Sequence, residues 1–200
     1  MDNGKLKNNK DFHALSYLMT KAITCAIADI GSASGQHLSI NSIKIGQIKS
    51  SDVPDLLGDS ESLAIGNYST LSGEISGHIM IAHKPDLVLK IMNINPEVLS
   101  SLDEKGQCTI GEIENTLCKG FIKTMEDMLL IPLHASSSVV LVDKITALLN
   151  IAFNEFLHEN DNVFVAETMI TTNGQFFQDR FIIMMDPVFT QRGQQITAKV

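Results

Sequence analysis

The chain has 200 residues, enough to bury a sizeable core without disulfides or metals, and its length suits one domain or two fused halves. With 44% hydrophobic and 19% charged residues the composition is globular, which excludes disordered, fibrous and low-complexity classes. A formal net charge of −8 and the lack of tryptophan argue against nucleic acid, an anionic membrane surface or an aromatic-rich carbohydrate site as the principal partner.

The first ten residues, MDNGKLKNNK, offer nothing to bury and are expected to form a frayed tail. From Phe12 the apolar residues Phe12, Leu15, Met19, Ala22, Ala26 and Ile30 recur at intervals of three and four, one face of a helix ending near Gly31. His13, Ser16, Thr20 and Thr24 fall on its other face. The segment Ala22 to Ala33 superficially resembles a lipoprotein cleavage site at Cys25, but Thr24 and Asp29 favour an amphipathic helix. No apolar run approaches the roughly 20 residues needed to span a bilayer, so membrane insertion is not expected. The cysteines Cys25, Cys108 and Cys118 lack metal-ligand spacing and suit three reduced thiols in a cytoplasmic setting. A period-two stretch through Leu38, Ile40, Ile43 and Ile45 predicts a strand, followed by a loop through Pro54 and Gly58. Two strands, 62–71 and 74–83, are predicted to form a hairpin at Ser72-Gly73. A short helix over 87–92 follows, and Pro96 opens a connecting segment.

The second half repeats this plan. A long amphipathic helix is predicted from about Thr109 to Leu130, burying Ile110, Ile113, Leu117, Phe121 and Met128. Next come a strand over 133–142 and a helix from Lys144 to about His158, whose apolar face is Ile145, Leu148, Leu149, Ala152, Phe153 and Phe156. Strands 163–172 and 175–185 close the pattern around Asn173-Gly174, a strong hairpin signal. At an offset of about 100 residues Gly73 falls on Gly174 and helix on helix, the mark of an internal duplication. The expected fold is α+β: a pseudo-twofold, duplicated helix-plus-antiparallel-sheet unit, with two long helices packed on a mostly antiparallel sheet. The expected organisation is a single domain over 11–190, built of half-repeats at about 11–97 and 98–190, between tails 1–10 and 191–200.

Motifs for hydrolase triads, zinc proteases and nucleotide loops are absent, and no metal site is expected. His78 and His83, five apart on one predicted strand, face opposite ways and cannot share a metal. What stands out is a polar stripe on the second long helix: Glu112, Asn115 and Lys119. A carboxylate and a carboxamide one turn apart can act on a phosphorylated partner. The amide would orient a water for in-line attack on phosphorus, while the carboxylate pairs with a basic group beside the phosphate. The same residues admit a plain structural reading, because Thr109-Ile-Gly-Glu112 is also a capping box; on that reading the chain is an unrelated α/β domain. An extra turn over Asp103 to Gln107 would move the helix start away from Thr109 and remove the cap, although Gly106 disfavours such a turn.

The strings SSDVPDLLGDSESLAIGNYSTLSGEISGHIMIAHKPD and GEIENTLCKGFIKTMEDMLLIPLHASSSVVLVD, within the duplicated plan, resemble the CheC/CheX/FliY family of chemotaxis phosphatases. The likeness runs from about Phe12 to Pro187, is nearest to CheC, and is most specific in LLGD, SGEISGHI and EIEN. The resemblance implies a CheC-like cytoplasmic protein phosphatase, a hydrolase of two-component signalling, that removes the phosphoryl group from the aspartyl phosphate of the response regulator CheY. It implies no cofactor of the chain's own, since the phosphorylated receiver supplies magnesium. The implied catalytic pair is Glu112, which would meet a lysine of the regulator, and Asn115, which would position water. The equivalent places on the first helix are His13 and Ser16, so one site is degenerate. The sequence departs from the family pattern at Cys108, where Asp or Ser is usual, and at Lys119, where glycine is expected one residue before Gly120. CheC proteins also bind CheD, through the helix corresponding to 144–158. The alternative within the same family is a catalytically silent module that holds a receiver or CheD, as monomer or homodimer.

Overall fold

The computed structural model describes residues 10–57, 61–74, 76–95, 103–136, 138–158 and 161–185. Residues 1–9 and 191–200 of the predicted tails, the segment opened by Pro96 and the side chain of Phe12 lie outside the described residues, while Lys10, expected in the first tail, is helical. Helix α1 spans Lys10–Ser34 and buries Leu15, Leu18, Met19, Ala22, Ile23, Ala26, Ile27 and Ile30, the three-and-four repeat expected of one apolar face. It stops in a Schellman arrangement, with Gln36 N–H donating to the Gly31 carbonyl at 2.9 Å. Strand β1 (Leu38–Lys49) follows. The predicted loop after it is instead a 3-10 turn, Ser50–Asp52, and a short helix α2, Val53–Leu57. Pro54 is compatible with the first turn of a helix, and Val53 and Leu57, four apart, are buried on one side.

Strands β2 (Leu63–Gly73) and β3 (Gly77–His83) form the first hairpin. Its turn lies beyond Ser72-Gly73, because the end of β2 continues to pair, Gly73 opposite Leu133. Helix α3 is Asp86–Met92 and helix α4 is Glu104–Leu129, a turn and a half longer at its start than the sequence suggests. The predicted strand over 133–142 is split into β4 (Leu133–Ala135) and β5 (Val139–Lys144), both paired with β2. The break falls in the serine run: Ser136 N–H donates to the Thr70 carbonyl and its Oγ accepts from Thr70 N–H, so its side chain competes with the ladder. Helix α5 spans Ile145–Glu155 and stops short of His158. Strands β6 (Asn162–Thr172) and β7 (Gln175–Met185) then meet at Asn173 and Gly174, both at positive φ (50° and 76°), the geometry of a two-residue type I′ hairpin.

All strand pairs are antiparallel, in the order β1-β6-β7-β3-β2-β4 with β5 also on β2. The order is nearly palindromic. The two hairpins abut through β3 and β7, where Ile81 lies opposite Ile183, two residues one half-repeat apart. Each half also lends a strand to the other's hairpin: β1 of the first half pairs with β6, and β5 of the second pairs with β2. The duplication is thus an intertwined pseudo-twofold sheet. Alternation along β3 and β7 gives it two apolar faces. Ile79, Ile81, Phe181 and Ile183 join α1, α3 and α4 in one cluster, while Met80, Ala82, Ile182 and Met184 join α2 and α5 in the other.

Candidate functional site

Helix α4 carries the proposed pair. Its N-cap is Asp103, whose carboxylate accepts from Gly106 N–H at 2.8 Å, and Thr109 is already helical, its hydroxyl donating to the Lys105 carbonyl. Glu112 therefore sits in the third turn and caps nothing, which removes the capping-box reading. Ile110, Ile113, Leu117, Phe121 and Met125 face the core, and Met128, expected among them, is half-buried. Glu112 and Lys119 are exposed and Asn115 is half-buried. Three helical steps separate Glu112 and Asn115 by about 60° around the axis and about 4.5 Å along it. They share one outward crest but incline to opposite flanks.

On one flank Asn115 lines a cleft of about 570 Å³ between α4 and the segment around β4, together with Lys119, Lys123, His134, Ser136 and Ser138. Its Oδ1 is shielded from solvent and has no hydrogen-bond partner among the described residues. On the other flank Glu112 stands at a smaller cleft of about 280 Å³, walled by Ile30, Ala33, Ile91 and Met92 from α1 and α3. No partner for the Glu112 carboxylate is found among the described residues. On α1, His13 is exposed and Ser16 half-buried with an unpartnered Oγ. Neither side chain supplies a carboxylate or a carboxamide, so the two long helices are chemically unequal.

The helices cross closely. An ideal Cβ at Gly120 would lie 2.5 Å from Asp29 Oδ2 and 3.1 Å from the Ala26 Cα. Lys119 points outward, so glycine is needed at 120 rather than 119 for α1 to lie against α4.

Beneath the crest runs a polar seam that the sequence reading did not single out. Glu114 is fully buried and its Oε1 lies 3.0 Å from Nε2 of His83, also fully buried. Asn67 Nδ2 donates to the Glu114 carbonyl at 2.7 Å. One turn on, Cys118 Sγ lies 3.6 Å from Ser69 Oγ, itself 3.0 Å from Ser138 Oγ, and burial pushes the Cys118 thiol up from its usual 9.0. The signals were present: Glu114 falls four after Ile110 and three before Leu117 on the apolar stripe, and His83 continues the inward alternation of Ile79 and Ile81. His78, by contrast, faces the other side of the sheet, hydrogen-bonded to the Tyr68 hydroxyl at 2.6 Å and stacked on Phe156.

No group of three or more His, Cys, Asp or Glu suited to a metal ion occurs among the described residues, nor does a helix long and apolar enough to cross a membrane. No protein-family model matches the chain. Among solved structures it is similar to FliY of Thermotoga maritima, at 15% identity and TM-score 0.69 over 96% of this chain and 98% of that one. It is similar to a chain of the FliG–FliM complex from H. pylori, at 8% identity and TM-score 0.57 over 96% and 99%. It is also similar to the chemotaxis protein CheX of Vibrio vulnificus, at 13% identity and TM-score 0.51 over 86% and 100%. The crossed long helices on an intertwined antiparallel sheet give this chain the CheC/CheX/FliY fold.

Proposed function

We propose that the chain is a CheC-like phosphatase that stimulates hydrolysis of the aspartyl phosphate of a CheY-type receiver domain, in a cytoplasmic signalling pathway. The observation that carries the reading is the Asn115 carboxamide: a side chain on the wall of an open cleft whose acceptor oxygen is buried with no partner among the described residues, one turn from an exposed carboxylate for which those residues supply none. A buried acceptor left unsatisfied costs about 1–3 kcal/mol, which favours a rotation of the side chain that brings Oδ1 into the cleft, where a water can donate to it. Docked on a receiver, Asn115 Oδ1 accepts one proton of that water and turns its lone pair toward phosphorus. The new P–O bond forms in line as the bond to the aspartyl oxygen breaks, releasing inorganic phosphate and restoring the carboxylate. Glu112 contributes position: its carboxylate pairs with a lysine beside the phosphoaspartate and fixes the approach of α4. The receiver brings the magnesium ion that neutralises phosphoryl charge.

A silent binding module is the second reading, favoured by the two flanks onto which Glu112 and Asn115 incline and by the exposed Lys119, which lines the same cleft as Asn115. A panel of phosphorylated receiver domains separates the two. Faster phosphate release from at least one receiver supports the phosphatase; capture of a receiver, or of CheD, with no change in release supports the binding module.

A further inference from the structure

Between α4, β3 and β7 lies a cluster of ionisable side chains that the cleft chemistry does not use: His83, Glu114 and Asp179, all buried. His83 Nδ1 stands 2.6 Å from the Lys84 carbonyl oxygen, which can only accept, so Nδ1 carries a proton. Nε2 stands 3.0 Å from Glu114 Oε1. A nitrogen lone pair and a carboxylate oxygen cannot face each other at that distance in a dry interior without a proton between them. The contact therefore holds one proton shared by His83 and Glu114.

The surroundings keep it there. Asp179 of β7 places Oδ2 3.6 Å from Nδ1, and the Phe181 ring covers the imidazole at 4.9 Å between centroids. Asp86 of α3 adds negative charge beside Asp179, and Lys84 and Arg180 stand with both at a small surface cleft. Burial alone would lower the pKa of His83; the charge of Glu114 and hydrogen bonds to Asp179 and Glu114 outweigh burial and raise it well above 6.5.

Glu114 directly precedes Asn115, and its contacts tie one turn of α4 to two strands: the side chain to His83 of β3, the carbonyl to Asn67 of β2. Cys118, at the end of the same turn, borders the Asn115 cleft with Ser138. We propose that the proton shared by His83 and Glu114 is a positioning device for Asn115, holding the 114–118 turn of α4 on the sheet and releasing it when the proton is lost at alkaline pH. The proposal takes from the phosphatase reading only what Asn115 does; how Asn115 is held follows from the buried contacts.

Glu114→Gln is the informative variant. Its amide N–H can donate to Nε2 while Nδ1 still donates to Lys84, which preserves the contact and removes the proton that could leave. In the whole chain, nitrogen-resolved NMR would follow the His83 ring and the Asn115 carboxamide from about pH 6 to about pH 10. In the wild type the ring stays cationic well beyond its ordinary range, and the Asn115 signal shifts in step with its deprotonation. In Glu114→Gln, where Asp179 alone opposes burial, the ring loses its proton at lower pH than in the wild type, and the Asn115 signal is flat across the wild-type transition. With a responsive receiver, the ratio of variant to wild-type phosphate release rises to about tenfold one pH unit above the transition, and the receiver's own pH dependence cancels in the ratio. Three results would each overturn the proposal: a ring that titrates in its ordinary range, an Asn115 signal that ignores ring deprotonation, or the same alkaline transition in the variant. Should the variant fail to fold, co-titration in the wild type decides. Should the wild type stimulate no receiver, the phosphatase reading falls while the NMR result still judges this one.

Discussion

The crossing of α1 and α4 positions the whole crest, and two glycines on α4 allow it to be weighed. Gly111 and Gly120 both lie inside the helix, but an ideal Cβ at Gly111 meets nothing within 4 Å, whereas at Gly120 it meets Asp29 Oδ2 at 2.5 Å and the Ala26 Cα at 3.1 Å. Replacing a helical glycine by alanine gains about 1 kcal/mol from backbone propensity alone. Gly111→Ala should therefore stabilise by about 1 kcal/mol, raising Tm by about 2–4 °C in a chain of this size. At Gly120 the exposed Asp29 carboxylate can swing aside, but the Ala26 Cα is backbone and must move. Overpacking of this kind costs about 1–3 kcal/mol, which cancels or exceeds the propensity gain. Thermal and urea denaturation of both variants should find Gly120→Ala less stable than Gly111→Ala by about 1–3 kcal/mol. Equal stabilisation at the two positions would show that the helix crossing does not depend on a missing side chain at 120.

Other outcomes follow from the same contacts. The raised pKa of His83 means that its stabilisation is fully present below the unfolded value of 6.5 and is lost as pH rises through the higher folded value. Tm should therefore fall from neutral to alkaline pH; a level profile would contradict this. Burial also pushes the Asp179 carboxyl above 3.8, so its own loss of stability begins on the acid side, as pH rises from 3.8 through the folded value. Glu112→Ala should raise KM for the receiver and weaken its salt dependence while kcat changes little, because an exposed carboxylate steers and docks; a fall in kcat alone would assign it another role. Leu148→Ala should cost about 2–5 kcal/mol in denaturation, since its methyls fill the space left by Gly66 under α5.

Periodicity exposed most of the fold: the long helices, the Asn173-Gly174 hairpin and the doubling all rest on local patterns that sequence displays. Sequence concealed what depends on partners far along the chain. That strands β1 and β5 are exchanged between halves follows from pairing between residues at least 71 apart, Tyr68 with Val139 being the nearest in sequence, which no local pattern encodes. The split of 133–142 comes from Ser136 bonding to Thr70, and the length of α4 from Asp103 capping a turn in which Gly106 itself supplies the donated N–H. The candidate pair could be named from its spacing and family resemblance, but the two clefts it borders could not. The pairing of Glu114 with His83 is hidden for a different reason: each sits at a position that the periodic pattern assigns to the core, and a charge there is legible only when its partner is known.

The role of the Asn115 carboxamide is best tested by the decay of a pre-phosphorylated, responsive receiver in the presence of wild-type chain or Asn115→Ala. Asn115 is half-buried at a cleft wall, so the variant should fold and bind as the wild type does. Asn115→Ala should lose about 10²–10³-fold in stimulated decay, the scale for removing one preorganised polar group, and return toward the receiver's own rate. Decay unchanged from wild type, with binding intact, would contradict that role.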